Sequence, residues 1–101
     1  MKAFISGAMT GHENYNRPLF NSVEYTLKKH GWVVLNPATL PIGMEHEDYM
    51  AICKKMIDVA DAVFFIDGWQ DSKGAMEEWE YAIKNDKPRI ALDTVKFFQL
   101  N

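Results

Sequence analysis

The chain of 101 residues has a single cysteine, Cys53, which limits the chemistry that the chain can support. One thiol cannot form an internal disulfide, and it cannot supply the several thiolates of a structural zinc site. No apolar run approaches the ~20 residues needed to cross a bilayer, and the first residues do not resemble a secretion signal. We therefore expect a cytoplasmic protein in a reducing compartment, with no membrane partner, no metal and no cofactor.

Positive charge is also scarce and scattered. Eleven Lys and Arg residues stand against fourteen Asp and Glu residues, giving a net charge of -3. A polymeric nucleic acid needs a clustered basic surface and is not an expected partner, whereas a single phosphate needs only a few local donors. Residues 1–101 are too few for more than one domain, and this size favours a homo-oligomer. Candidate apolar surface for such an interface is Tyr81, Phe97, Phe98 and Leu100.

Short apolar runs alternate with helical spacing along the chain. The predicted strands are residues 2–6, 32–35, 62–66 and 89–92, and the predicted helices are residues 18–29, 47–60 and 74–85. The last residues form a tail without a clear pattern. Strands that alternate with helices through short connections require a parallel sheet with crossover helices. The sequence therefore predicts a single-domain α/β fold, a flavodoxin-like or Rossmann-like three-layer sandwich with a four-to-five-stranded parallel sheet.

The most informative segment follows the third predicted strand, where an apolar run meets a polar, glycine-containing loop and then a helix. Open α/β sheets bind ligands at the carboxyl ends of their strands. Candidate binding residues here are Asp67, Gly68, Trp69, Asp71, Ser72 and Gly74. Ser72 is either a phosphate ligand or the N-cap of the helix, which is the commoner role. Asp71 either fixes the loop or accepts a hydrogen bond from a sugar hydroxyl.

A second candidate loop follows the first predicted strand. Its residues are Ser6, Gly7, Ala8, Met9, Thr10 and Gly11. Gly7 permits close approach of a ligand to the backbone, but the spacing is neither a dinucleotide fingerprint nor a P-loop. If the first and third strands are neighbours, the two loops face each other across one cleft. Candidates for the wall of a base pocket are Met9, Tyr15, Met44, Met50 and Trp69, although such residues are more often found in cores or interfaces.

The third predicted helix carries three glutamates near its start. On a helical wheel, its apolar side comprises Met76, Trp79, Ala82 and Ile83. Glu77 and Glu80 lie opposite, and Glu78 falls at the border, where it looks along the sheet edge. A partly desolvated carboxylate at that place can act as a nucleophile or a general acid. The alternative is that Glu77 and Glu78 only complement the helix dipole.

Together, these segments resemble the nucleoside 2-deoxyribosyltransferase-like superfamily, and more closely its small bacterial and phage branch, DUF4406. The resemblance runs from residue 2 to about residue 92, and its most specific part is Ser72-x-Gly74-Ala75-x-x-Glu78-x-x-x-Ala82. Shorter matches are residues 4–11, 36–38 and 61–63. The resemblance implies cleavage of the N-glycosidic bond of a deoxyribonucleoside or its 5′-monophosphate. It further implies that Glu78 attacks the anomeric carbon, that Ser72 contacts the phosphate, and that loop 6–11 supports phosphate or base.

One position departs from the family pattern. Relatives carry a second carboxylate, an aspartate, at the place of Cys53, whose side chain is more typical of a small core hydrophobe. Candidate substitutes for the missing group are Asp58, Asp67, Asp71, His12 and His46. Three functions therefore stay open. They are a glycosidase or deoxyribosyltransferase, a nucleotide-binding module without turnover, and a flavodoxin-like interaction domain without a small ligand.

Overall fold

The structure is a computed structural model that describes residues 1–100. Its strands are β1 (Lys2–Ser6), β2 (Val33–Leu35), β3 (Ala62–Phe65) and β4 (Arg89–Ala91). Its α-helices are α1 (Arg17–Lys29), α2 (His46–Val59), α3 (Lys73–Lys84) and α4 (Thr94–Phe98). Short 3-10 turns occupy Glu13–Asn16, Pro37–Thr39 and Trp69–Asp71. The four predicted strands and three predicted helices are all confirmed, each within one residue of its predicted ends.

The four strands form one parallel sheet in the order β2-β1-β3-β4. β1 is paired on both sides, with Ala3 opposite Val34 of β2 and Ala62 of β3. The loops that follow β1 and β3 therefore lie side by side, as the two-loop cleft requires. The chain passes from β1 to β2 and then crosses to β3 on the other side of β1. The carboxyl end of β1 is thus the point at which the winding of the sheet reverses.

Helices cover both faces of the sheet. Successive side chains of a strand point to opposite faces. Ile5 of β1 belongs to the same buried cluster as Phe20 of α1 and Phe97 of α4, whereas Phe4 lies in a cluster with Ile57 of α2 and residues of α3. The molecule is therefore a three-layer α/β sandwich of the flavodoxin-like or Rossmann-like kind, in agreement with the sequence-based prediction.

Local sequence features set the ends of the helices near the sheet edge. Pro18 lies in the first turn of α1, where its missing N–H has no intrahelical partner to lose. α1 ends before Gly31, whose φ of +90° is the left-handed conformation that glycine adopts readily. Reciprocal side-chain bonds of Glu45 and Asp48 cap the start of α2. Because each of these helices follows a parallel strand, the starts of α1, α2 and α3 all lie at the carboxyl edge of the sheet.

Two features differ from the expectations. The tail contains α4, and Phe97 of this helix is buried rather than part of an exposed surface. The predicted apolar side of α3 was confirmed for Ala82 and Trp79, which are buried or packed on the core, and was wrong for Met76 and Ile83, which are exposed. The buried positions of this helix are Ala75, Glu78 and Ala82. The small alanines at two of these positions let α3 pack closely on the sheet.

Candidate functional site

A cavity of about 380 Å³ opens at the carboxyl edge of the sheet. Its walls come from the loops that follow β1 and β2, from α2, and from the start of α3. Residues that represent these four parts are Thr10, Leu40, Cys53 and Ser72. The volume falls within the range of about 300–1,000 Å³ that is usual for small-molecule sites. Its place at the winding reversal is also where open α/β sheets bind ligands.

Glu78 is the most deeply buried charged side chain of this cavity. α3 carries Glu78 on its buried face, so that only 6% of the residue is exposed although it lines the cavity. The hydroxyl of Ser6, the last residue of β1, donates a hydrogen bond of 2.6 Å to Glu78 Oε1. Ser6 is itself buried. The carboxyl group is therefore held between the end of the central strand and the cavity.

The environment of Glu78 changes its acidity. Burial raises the pKa of Glu78 to about 7, against hydrogen bonds from Ser6 and Cys53 that favour the charged form. Burial, together with the neighbouring Glu78 charge, raises the pKa of the Cys53 thiol. At neutral pH, Cys53 is therefore a protonated thiol, whereas Glu78 is divided between its neutral and charged forms.

The start of α3 forms one wall of the cavity. Ser72 Oγ accepts a hydrogen bond of 3.2 Å from the N–H of Ala75, which is the capping role considered from the sequence. Ser72 and Gly74 both line the cavity. A Cβ at Gly74 would lie 3.7 Å from His46 Cε1 and from Met50 Sδ, which are ordinary contacts. Glycine is therefore not required there by the packing around it, but its absent side chain keeps this wall open.

The loop after β1 forms the opposite part of the cavity edge. A Cβ at Gly7 would lie 3.1 Å from Ile66 Cβ and 3.3 Å from Phe20 Cζ. Both neighbours belong to the core, so a side chain at this position would force packed groups apart. Gly7 is needed for close packing, and it lets the following residues Met9 and Thr10 line the cavity.

The same loop carries a strained segment before α1. Asn14, Tyr15 and Asn16 have φ values of +52°, +54° and +61°, a conformation that non-glycine residues rarely adopt. The Asn16 side-chain amide donates a hydrogen bond of 2.9 Å to the carbonyl of Ala8 and so ties the segment back to the start of the loop. The segment holds Tyr15 at the cavity. Such strain is concentrated at ligand-binding segments in many proteins.

A family model described as "Domain of unknown function (DUF4406)" matches residues 1–90, from the start of the chain into β4. The chain belongs to the DUF4406 family. The match confirms the DUF4406 part of the resemblance noted in the sequence. Comparisons with curated proteins and with solved structures find no match.

The DUF4406 domain brings part of the sequence-predicted set together. The predicted site residues that line the cavity are Gly7, Met9, Thr10, Ser72, Gly74 and Glu78. Ser6 joins them through its bond to Glu78. Ala8 is buried beneath the loop, and Gly11 is exposed with a φ of +85°. The two predicted loops therefore do form one site, with glycines and hydroxyl groups from both.

Other predicted residues lie outside the cavity wall. They are Asp67, Gly68, Trp69 and Asp71. The carboxylate of Asp67 accepts a hydrogen bond of 3.1 Å from the N–H of Thr94 and so fixes the start of α4. Trp69 stacks on Trp79, with ring centroids 4.3 Å apart, in the core beside α3. Of the residues proposed for a base pocket, those that line the cavity are Met9, Tyr15, Met44 and Met50.

Most of the residues proposed as substitutes for the missing carboxylate also lie outside the cavity wall. None of the candidates Asp58, Asp67 and Asp71 lines the cavity. Of the two histidines, His46 lines it, and His12 does not. His46 Nε2 also lies 3.5 Å from Glu77 Oε1 at the start of α3. Of the five residues proposed as substitutes, His46 is therefore the one that lies at the cavity wall.

Two polar residues of the cavity wall were not identified from the sequence. Arg17 is the first residue of α1, and Tyr49 lies in α2 with its hydroxyl donating to the carbonyl of Pro41. The position of Arg17 directly before Pro18 marks the first turn of a helix that follows a strand. Because such a turn lies at the carboxyl edge of the sheet, the sequence could have indicated that Arg17 is near the cavity.

The DUF4406 domain shows neither a metal-binding cluster nor a membrane-spanning helix within the described residues 1–100. Within residues 1–100, no group of three or more His, Cys, Asp or Glu side chains is arranged to hold a metal ion. None of the helices in that range combines the length and the apolar character needed to span a bilayer.

Proposed function

We propose that this DUF4406 domain is an N-glycosidase or deoxyribosyltransferase of the nucleoside 2-deoxyribosyltransferase-like kind, acting in the cytoplasm on a deoxyribonucleoside or its 5′-monophosphate. The observation that carries the proposal is the buried Glu78 carboxyl, which is held by Ser6 at the wall of the cavity. Within residues 1–100, this carboxyl has no ion-pair partner within 4.0 Å. Burial of such a group is costly, and perturbed carboxyls in clefts are candidates for catalysis.

In the proposed reaction, Glu78 attacks the anomeric carbon of the deoxyribose. The bond from that carbon to the base nitrogen breaks, its electron pair leaves with the base, and the sugar becomes an ester of Glu78. Water or a second base then attacks the same carbon and restores the carboxylate. The attack requires ionised Glu78, and a pKa of about 7 supplies a substantial fraction of that form at neutral pH.

The departing base needs a proton. Cys53 is a poor donor, because burial raises the pKa of its thiol. His46 lies at the start of α2, lines the same cavity and is half exposed. We therefore assign to His46 the proton transfer to the base in this reaction.

A second candidate function is a nucleotide-binding module without turnover. The observation that favours it is that Glu78 supplies the only carboxyl among the described residues that line the cavity. Glycoside hydrolysis usually employs two carboxyl groups. Loss of the second group would leave a binding cavity that retains its ligand but cleaves it slowly or not at all.

The decisive experiment is incubation of the purified protein with a panel of deoxyribonucleosides and their 5′-monophosphates. Free base is measured by chromatography, and ligand binding is measured by the shift of the melting temperature. Release of base from at least one compound supports the glycosidase or transferase. Stabilisation without base release supports the binding module. The absence of both stabilisation and base release would contradict both proposals.

A further inference from the structure

Arg17 joins two loops at the wall of the cavity. It is the first residue of α1 and lines the cavity together with residues of the β2–α2 connection. Its Nη2 donates a hydrogen bond of 2.9 Å to the carbonyl of Leu40 in that connection. The left-handed segment ending at Asn16 directly precedes it. The backbone on both sides therefore fixes the position of the guanidinium group.

Most of the donors of Arg17 have no protein partner. A guanidinium carries five N–H donors, and one of them is used by Leu40. Nε is buried and makes no hydrogen bond within the described residues 1–100. No carboxylate in that range lies within 4.0 Å of the side chain. Nη1 is not among the buried unpaired atoms and makes no hydrogen bond in that range, so its donors are the ones open to a ligand at the cavity wall.

The other charged groups of the cavity do not neutralise Arg17. Glu78 is held by Ser6 at the end of β1, and His46 pairs with Glu77 at the start of α3. The cavity therefore presents a fixed positive charge with free donors beside the loops that follow β1 and β2. A planar guanidinium is well suited to an oxyanion with two or more acceptor oxygens.

We propose that Arg17 binds the phosphate monoester of the ligand, and that this contact makes a sugar 5-phosphate or nucleoside 5′-monophosphate bind more tightly than its neutral counterpart. The identity of the remainder of the ligand rests on the proposed function. Ser72 Oγ accepts a bond from Ala75 in capping α3 and keeps its own O–H to donate, so Ser72 can contact the same phosphate while the guanidinium of Arg17 supplies the positive charge.

The first test compares binding of 2-deoxyribose 5-phosphate with that of 2-deoxyribose by calorimetric titration. We expect the wild-type protein to prefer the phosphate at least tenfold, and Arg17→Gln to lose most of this preference. Lys73→Gln is the matched control, because it removes an exposed cation at the start of α3 that does not line the cavity. Absence of the preference in wild type, or its retention in Arg17→Gln, overturns the proposal. If the preference for the phosphate is lost in Ser72→Ala but kept in Arg17→Gln, the phosphate binds at the start of α3, and the Arg17 proposal is overturned.

A second test needs no variant and therefore does not depend on whether Arg17→Gln folds. The chain contains two arginines, Arg17 and Arg89. Arg89 lies over the Trp79 ring, 4.7 Å from its centroid, and does not line the cavity. We expect 2-deoxyribose 5-phosphate to slow modification of Arg17 by phenylglyoxal while Arg89 reacts at its usual rate, as measured by peptide mass spectrometry. Equal rates at Arg17 with and without the sugar phosphate contradict the proposal.

These tests are independent of catalysis, because 2-deoxyribose 5-phosphate has no base to release. If it binds through Arg17 while no compound of the panel loses its base, the glycosidase proposal fails and the Arg17 assignment stands. If base is released but neither binding nor protection depends on Arg17, the catalytic proposal stands and the phosphate assignment fails. The two proposals therefore fail separately.

Discussion

Ser6 and Glu78 lie 72 positions apart in the sequence and form a buried hydrogen bond of 2.6 Å between Ser6 Oγ and Glu78 Oε1. The bond joins the end of the central strand β1 to the first half of α3. A hydroxyl that donates to a carboxylate stabilises the charged form, so it opposes the effect of burial on the pKa of Glu78. This pairing therefore favours the ionised form of Glu78, the form that the proposed reaction requires.

The Glu78→Gln variant should bind the ligand but release no base. The amide has nearly the shape of the carboxyl group and can still accept the Ser6 bond, yet it cannot form the glycosyl ester. We expect base release to fall by at least 10³-fold, an order of magnitude typical of lost nucleophiles. Glu80→Gln on the exposed face of α3 is the control and should keep wild-type rates. Comparable losses in the two variants would show that Glu78 is not the nucleophile.

The pH dependence of base release should report the ionisation of Glu78. A nucleophile must be charged, so on the acid side kcat/KM should rise with pH through the pKa of about 7, and any decrease at higher pH would come from loss of the proton that the departing base requires. Ser6→Ala removes a bond that favours the charged form and should move the rise to higher pH. Rates measured between pH 5 and 9 test this. A kcat/KM without a rise on the acid side, or a rise that Ser6→Ala leaves in place, would show that ionised Glu78 is not the nucleophile.

The stability of the fold should also depend on Glu78. The pKa of Glu78 is about 7 in the folded protein, whereas the ordinary value of 4.5 applies to the unfolded chain. The folded state therefore binds this proton more tightly. The contribution of protonated Glu78 to stability is complete below pH 4.5 and is lost as pH rises through 7. The loss is on the order of 3 kcal/mol. Urea unfolding at pH 5 and pH 8 should show this change in wild type but not in Glu78→Gln, with Glu80→Gln behaving as wild type. Parallel pH dependence in wild type and Glu78→Gln would refute the assignment.

The fold was predictable because its signals are local. Each strand is a short apolar run, and the ends of the helices carry residues such as Pro18, Gly31 and Ser72 that act within one turn. The place of Glu78 at the cavity was also predictable, since its spacing from Ser72 is a property of one contiguous segment. These features depend on neighbouring residues rather than on the assembled molecule.

The rest of the site depends on contacts between distant segments. Arg17 reaches the cavity because α1 begins beside the β2–α2 connection, a relationship that no short motif encodes. Trp69 was expected to face the ligand, but stacking on Trp79 places it in the core. The helical wheel assigned Met76 and Ile83 to the apolar side of α3, but both are exposed in the folded molecule. Tertiary packing decided each of these outcomes.

We expect the protein to form a homo-oligomer through the β4 edge of the sheet. β4 has no strand on its outer side, Ile90 is 38% exposed, and Ile83 of the neighbouring α3 is 47% exposed. Exposed edge strands with apolar side chains favour pairing with another chain. Light scattering at micromolar concentration should give at least twice the mass of one 11.6 kDa chain. Ile90→Lys should lower this mass, whereas Val95→Lys on α4 should not; a monomeric wild-type protein would rule the interface out.

Cys53→Asp provides the sharpest comparison between the catalytic and binding proposals. Cys53 lines the cavity beside Glu78, at the place where the resemblance expects an aspartate. If the site is catalytic, the substitution should increase base release at least tenfold, because it restores a carboxyl group that can transfer a proton.

The same substitution tests the alternative, because Cys53 is only 5% exposed and packs in the cluster of α2 and α3. A buried carboxyl without a partner would lower the melting temperature. Cys53→Ser is the control for loss of the thiol without added charge. A gain of activity in Cys53→Asp but not in Cys53→Ser supports the glycosidase, even if some stability is lost. Lower stability with unchanged base release instead favours the binding module, since a restored carboxyl would then have no reaction to assist.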